Sequence, residues 1–569
     1  MSERLDERTE AWPLRPWIMA AICAAAGLLF HFLTDHHYPD AVPVWRQAAA
    51  TFVAIATVSF VLTFERLRWA WAVGFAVGWG LVLALIGWFT ARYNYNATIF
   101  EWPYMSGIFA VLLAAPLFQT VRDEGAWRFP YRTLHSHAWT DAVIGAAALF
   151  FVGVVFLMAW LIAGLFNLIG IEEIRKLLLK DWFGWMLAGF AFGSAVGLLR
   201  ERDRLVATLQ RLVMVVFSVL APVLAISLVG FLASIPFTGL DKFWDSWVPA
   251  TPMLLTAGAG AILLANAVIG DGREDGSPNK LLRWSALALV AVVLPLAGLA
   301  ALSMQIRIGQ YGWTPERIWG VIAVLVAITY GLAGWWAIWR GRADFDDPLR
   351  PLQVKMAIGL CGLALLLALP ILDFGAISAR SQLARLESGK ITPAKFDWRA
   401  MAFDFGPAGR ERLKRIAASG AADRRDLARA ALEARDRYRV EEATAEQTLD
   451  QRVRLLSPDI KLTPALREFL TSWEGCGKDT CALMRVDPQR LLLLTMKGRA
   501  EDRAVSASVV DLQKVENRSA GKTSRYFDAT GEETPTVKGV DLSRATVEIR
   551  TVQKRQAFVD GKPVGDPFR

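Results

Sequence analysis

At about Asp373 the alternation of apolar and polar residues changes character. Before it, long apolar runs are broken by short charged loops, and after it charged and apolar residues are interspersed as in a water-soluble protein. A bilayer-crossing helix needs about 17–25 mostly apolar residues. Eleven such runs can be read, at 17–34, 47–64, 69–89, 105–121, 142–169, 182–199, 212–235, 252–269, 284–306, 318–339 and 354–372. The second and fourth are short, so a count of ten or twelve stays open. Tryptophans at run ends, such as Trp69, Trp71, Trp182, Trp185, Trp335 and Trp336, suit either the headgroup zone or packing between helices.

Beyond the break, Pro407 and Gly409 open one helix, SGAAD interrupts it, and a second helix follows with Leu427, Ala431, Ala434 and Tyr438 on one face. From about Leu466 the pattern turns to strands: RLLLLTMKG, ASVVDL, ATVEIRTV and QAFVDGKPVG, the last a hairpin around Asp560-Gly561. The expected fold is therefore an α-helical polytopic membrane bundle of about 11 transmembrane helices with a C-terminal soluble α+β domain. Its expected parts are a cytoplasmic N-terminal segment 1–16, a transmembrane domain 17–373, a helical extramembrane segment 378–456 and a small β-rich domain 457–569. No internal repeat and no low-complexity linker is evident.

Composition supports the membrane reading, since 569 residues at 54% hydrophobic and 21% charged are too apolar for a soluble chain of this length. Short loops rich in Lys and Arg stay cytoplasmic. With the N-terminus inside, the cytoplasmic segments hold nineteen Lys and Arg against eight on the other side. An odd number of spans then places the tail outside, which for a bacterial inner membrane is the periplasm. No cleavable leader is read at the start, and the first apolar run is expected to stay in place. The tail carries +8 of the formal +9, so anionic lipid, a cell-wall component or a periplasmic protein are the expected partners besides the bilayer. A plain solvated surface explains the same charge. Nucleic acid does not fit an external tail.

Cys23 and Cys361 fall within apolar runs and read as small packing residues. Cys476 and Cys481, in WEGCGKDTC, read as a disulfide if the tail meets an oxidising compartment. The tail has no histidine and no second cysteine pair, so no metal site and no cofactor is expected.

The segment RIGQYGWTPERIWG, residues 307–320, reads as a turn at Gly309 and Gly312, then Thr314 as N-cap and Pro315 as first helical residue. The alternative is a polar mouth formed by Arg307, Tyr311, Glu316 and Arg317. This segment and the layout of many spans followed by a tail resemble the bacterial domain of unknown function family 4153. The resemblance implies a bacterial membrane protein and transfers no catalytic residue.

Polar groups inside or beside apolar runs are costly in hydrocarbon and invite functional readings. His31 and Asp35, four apart at the end of the first run and followed by Asp40, have the residue types of a metal, proton or catalytic site. They equally suit an interfacial helix end. His135 and His137 fall on the opposite side. Asn167, Asn266 and Tyr330 offer interhelical hydrogen bonds, and the glycines of 184–197 and 258–260 permit close helix approach. Three function classes follow. The leading one is an envelope protein whose bundle holds an external binding domain. Second is an integral-membrane transferase acting on a lipid-linked substrate, with Asp35 and Asp40 as its acids. Third is a secondary transporter, which would show inverted halves and broken helices. No phosphate-binding loop is present in the sequence.

Overall fold

The structure, a computed structural model, describes residues 12–36, 42–91, 98–239, 249–272, 277, 279–435, 437, 439–440, 446, 448–472, 474–477, 479–497, 504–519, 537–538, 555–559 and 562–568. The chain divides into two units, Met1–Ser388 with Phe403–Arg412, and Gly389–Ala402 with Leu413–Arg569.

The first unit is helical. Among the described residues, eleven helices are long and apolar enough to cross a membrane, as the run count predicts. They are helix 1, Arg15–Thr34; helix 2, Val44–Thr63; helix 3, Trp69–Ala91; and helix 4, Thr98–Glu124. Helix 5 is Tyr131–Leu168, helix 6 Asp181–Arg200, helix 7 Asp203–Thr238 and helix 8 Ala250–Ile269. Helix 9 is Lys280–Tyr311, helix 10 Pro315–Gly341 and helix 11 Asp346–Ala368. Several extend past the runs read from hydropathy: helix 5 begins eleven residues before position 142, and helix 9 runs on to Tyr311. A helix does not end where its side chains become polar. It ends where the backbone finds other partners, so the ends of these helices carry charges that the runs left to loops.

Helix surfaces that a soluble protein would cover are open here: Phe150 is 75% and Ile226 74% exposed, in rows of similar apolar residues. Lipid is the solvent that such faces fit, so the eleven helices fit a multi-pass membrane protein.

Helices cannot associate through the hydrophobic effect in lipid and rely on close backbone approach. Gly189, Gly193 and Gly197 form one stripe on helix 6, laid against Cys23, Met19 and Pro16 of helix 1. A methyl on Gly189 or Gly193 would overlap the carbonyl oxygen of Cys23 or Met19, and one on Gly197 would lie 2.6 Å from Pro16 Cα. Gly27 of helix 1 meets the carbonyl of Trp185 in the same way. Further along the chain, helices 7 to 10 share a core around Leu289 and Leu296 of helix 9. Gly331 and Gly334 of helix 10 admit Leu294 and Val290 of that helix. Helix 11 packs on helix 4, where Ser106 Oγ donates to the Ala364 carbonyl at 2.9 Å. After helix 11 comes the helix Phe374–Glu387, N-capped by Asp373, whose carboxylate accepts from the Ala376 amide at 2.8 Å.

Helices Gly406–Ser419 and Ala422–Glu433 follow. The second is shorter than its sequence pattern predicts. Leu427 and Ala431 are buried as expected, but the backbone is already extended at Ala434, and Tyr438 lies outside the described residues. Ala434 and Arg435 are non-helical, and Val440 just beyond them is again helical and buried.

The C-terminal unit contains a five-stranded sheet of β1 Val453–Leu455, β2 Cys481–Arg485, β3 Arg490–Lys497, β4 Ala504–Asp511 and β5 Val537–Lys538, in that order. β1 and β2 are parallel and the other pairs antiparallel. The sequence pattern misses β1, because three residues are too few to display alternation. It also reads strand where Pro464–Thr471 forms a helix, capped by Thr463 Oγ1, which accepts from the Leu466 amide at 3.3 Å. That helix and Leu512–Ser519 cover one sheet face around Phe469, Leu470, Leu483 and Leu491. The expected hairpin pairs β6 Arg555–Val559 with β7 Lys562–Phe568, its turn residues lying outside the described ones, as does ATVEIRTV.

Candidate functional site

Cys476 and Cys481 form a disulfide with 5.8 Å between their Cα atoms, both side chains buried in the core of the sheet domain. Sequence shapes this loop: Gly477 takes a left-handed backbone, and Gly475 lies where a Cβ would meet the Phe469 carbonyl. Arg452 holds the loop, donating from Nη1 to the carbonyls of Gly477 at 2.8 Å and Asp479 at 2.9 Å. Burial lowers this guanidinium below its ordinary value, against the opposing charge of Asp479. Removing both cysteines is expected to cost about 2 kcal/mol, since the closed loop is short. Denaturant unfolding of a Cys476→Ser/Cys481→Ser variant would measure it.

In the helical unit several arginines at helix ends grip backbone carbonyls. A helix leaves its last four carbonyls without intrahelical partners, and cations are favoured there. The end of helix 2 is held from three sides. Arg200 donates to the Leu62 carbonyl, Arg122 Nη1 to Thr63 at 2.7 Å and Arg15 Nη2 to Phe64 at 3.0 Å. Carboxylates hold these cations in turn. Asp141 Oδ1 accepts from Arg200 at 2.9 Å, and its Oδ2 accepts from Gln119 Nε2 at 2.6 Å. Asp123 accepts from Arg122 Nε at 3.1 Å and Arg68 Nη2 at 2.8 Å, and its other oxygen is 3.1 Å from His137 Nε2. Glu65 pairs with Arg68 at 2.7 Å and Arg122 at 3.3 Å. Burial alone would lower the Arg68 guanidinium, but hydrogen bonds and charge from Glu65 and Asp123 outweigh it and hold the group above its ordinary value.

Helix 8 ends in the same fashion. Arg350 Nη2 donates to the Ile269 carbonyl at 3.2 Å and to Asp346 at 2.8 Å, while Arg283 donates to the Ala343 carbonyl at 2.9 Å.

The segment 307–320 lies at the other end of helix 9, and its reading needs correction. Gly309 is helical; the turn is made by Gly312 alone, at φ +75°, and Thr314 makes no side-chain capping bond. Capping comes from the helix Phe374–Glu387 instead. Arg385 Nη2 donates to the Gln310 carbonyl at 2.6 Å, and Gln382 Nε2 donates to those of Tyr311 and Trp313, both at 2.9 Å. Ser381 Oγ accepts from the Trp313 amide at 3.2 Å. Arg317 turns back to the Gly312 carbonyl at 2.6 Å and lies 5.4 Å from the Tyr311 ring centroid. Arg307 adds like charge beside Arg317, and Glu316 adds opposite charge in the first turn of helix 10. This geometry closes a turn. Gln382→Ala is expected to lower stability by about 1–2 kcal/mol through two lost hydrogen bonds, read as thermal unfolding in detergent.

His31 and Asp35 do not share a helical face. Helix 1 ends at Thr34, Asp35 is extended, and its amide donates to the His31 carbonyl at 2.7 Å. The Asp35 carbonyl accepts from Arg46 Nη2 at 2.9 Å, and Asp40 lies outside the described residues. Among the described residues no group of three His, Cys, Asp or Glu is placed to hold a metal ion. Asn266 Oδ1 accepts from Gln353 Nε2 at 2.5 Å, beside a cavity of about 20 Å³ that Tyr330 also lines, room for a single water.

Sequence reasoning missed Asp123, Asp141, Gln119 and their arginine partners as one network. The signal in the sequence is Asp141 in HAWTDAVIG, a carboxylate directly before the apolar run that begins at position 142 and, in the structure, inside helix 5.

No curated protein and no solved structure matches the chain. One family model does, over residues 18–402, from helix 1 to just beyond the helix that caps the Gly312 turn. With two thirds of its length matched, the chain belongs to the family described as Domain of unknown function (DUF4153).

Proposed function

We propose that the chain is a multi-pass protein of a bacterial inner membrane whose helical unit holds the C-terminal unit on the periplasmic side, where that unit binds an envelope component. The Cys476–Cys481 disulfide in the core of the sheet domain carries this reading, because such bonds persist in oxidising compartments and are rare in the cytosol. The excess of arginine at one set of helix ends supports an N-terminus inside. The helix-end clamps support a holder: buried guanidinium groups spent on backbone carbonyls fix helix ends against one another.

A reporter cysteine tests the placement. Val486, exposed at the turn between β2 and β3, is replaced by cysteine and intact cells are treated with a membrane-impermeant maleimide. Labelling in intact cells is expected, together with an oxidised Cys476–Cys481 pair after acid trapping. Labelling that requires lysis would place the domain in the cytoplasm and overturn the proposal.

A further inference from the structure

We propose that the C-terminal unit carries a site for a small zwitterion with a branched apolar side chain, an α-amino acid of the leucine type; this rests on reading that unit as a binding domain. A cavity of about 190 Å³ opens between the loop before helix Pro464–Thr471, the β2–β3 end of the sheet and helix Leu512–Ser519. Sites for drug-sized ligands run to roughly 300–1,000 Å³, so this one fits something smaller. Its floor is Leu466, Leu491 and Val515, all buried and continuous with the domain core, a surface suited to an aliphatic side chain.

Charge sets the rest of the ligand. Asp459 and Arg485 line one wall and are paired with each other; Arg485 is tied down further through its amide, which donates to Ser457 Oγ at 3.0 Å, and through Nη1, which donates to the Pro488 carbonyl at 3.3 Å. That wall is neutral as a unit. Lys461 and Glu516 complete the rim with one charge of each sign, from the loop and from helix Leu512–Ser519. A ligand carrying only a carboxylate or only an ammonium group satisfies one of them. A molecule carrying both, next to an aliphatic side chain, satisfies both and covers the floor.

The test uses purified full-length protein in detergent and isothermal titration with three probes: L-leucine, N-acetyl-L-leucine, which lacks the cation, and L-leucinamide, which lacks the anion. L-leucine is expected to bind, with each blocked probe about tenfold weaker, the loss of one charge-assisted contact. Glu516→Gln is expected to weaken L-leucine and L-leucinamide about tenfold and leave N-acetyl-L-leucine unchanged, and Lys461→Met to give the converse. Both positions are exposed, so neither change threatens the fold. Absence of heat with all three probes at millimolar concentration, or binding of L-leucine that neither variant alters, overturns the site. Either result leaves the maleimide experiment standing, since titration in detergent does not depend on which side of a membrane the domain occupies.

Discussion

Replacing Gly193 with leucine is expected to remove most folded protein from the membrane, with a loss at or above the upper end of the roughly 1–3 kcal/mol typical of overpacking. The obstacle is main chain. A Cβ at this position overlaps the Met19 carbonyl and stands 2.9 Å from Cys23 Cβ, and helix 1 cannot retreat locally because Gly189 and Gly197 hold the same contact one turn away on either side. Gly78→Ala supplies the contrast on helix 3, where nothing lies within 4 Å of the added carbon; helix propensity predicts a gain of about 0.5–1 kcal/mol there. Size-exclusion profiles and thermal unfolding in detergent would read both. Equal behaviour of the two variants would show that the helix 1–helix 6 contact is not held by its glycines.

Arg200→Leu is expected to cost about 3–5 kcal/mol, the usual result of stripping one partner from a buried ion pair. Two groups lose their cationic donor together and keep only Gln119 Nε2: the Asp141 carboxylate, whose side chain is only 12% exposed, and the Leu62 carbonyl at the end of helix 2. Changing Asp141→Asn in the same chain removes the uncompensated charge but does not restore the Arg200 donor to the Leu62 carbonyl, which keeps only the longer Gln119 contact of 3.4 Å, so the double variant should regain part of the loss and not all of it. Full recovery would mean that the carbonyl contact contributes nothing, and a single variant within 1 kcal/mol of the parent would sink the clamp as a stabilising device.

Hydropathy alone makes the number of long helices legible, because a run of apolar residues has one inexpensive arrangement in lipid. Gly189, Gly193 and Gly197 are legible as packing residues for a similar reason, since close approach needs a missing side chain and missing side chains show in a sequence, but Gly184 and Gly258 meet no close neighbour and Gly260 only Leu224 at 3.8 Å. Helix ends are another matter. Hydropathy gives out at the first cluster of charges, whereas helix 5 continues through His135, His137 and Asp141. Those residues fall outside the apolar run of 142–169, and the partnership of Asp141 with Arg200, fifty-nine positions later, leaves no trace in local pattern. His31 and Asp35 failed in the opposite sense, a helical spacing laid over a helix that had already stopped at Thr34. In the Gly312 turn Gly312 and Pro315 signal the turn and the helix start, while Gly309 lies inside helix 9, and the capping groups come from Ser381, Gln382 and Arg385, some seventy residues away. Local chemistry announces that a turn exists and is silent on what closes over it.

The clamps on helix 2 join side-chain donors to main-chain acceptors, and this asymmetry bears on how the family can drift. Leu62, Thr63 and Phe64 contribute carbonyl groups that every amino acid possesses, so these positions can exchange one residue type for another without loosening the grip. Arg15, Arg122 and Arg200 have no such latitude, because a fork of donors at fixed reach is the property in use. Substitution at Arg200 or Arg122 should accordingly travel with substitution at its carboxylate, Asp141 or Asp123 respectively, and hardly ever with a change at the residue it holds.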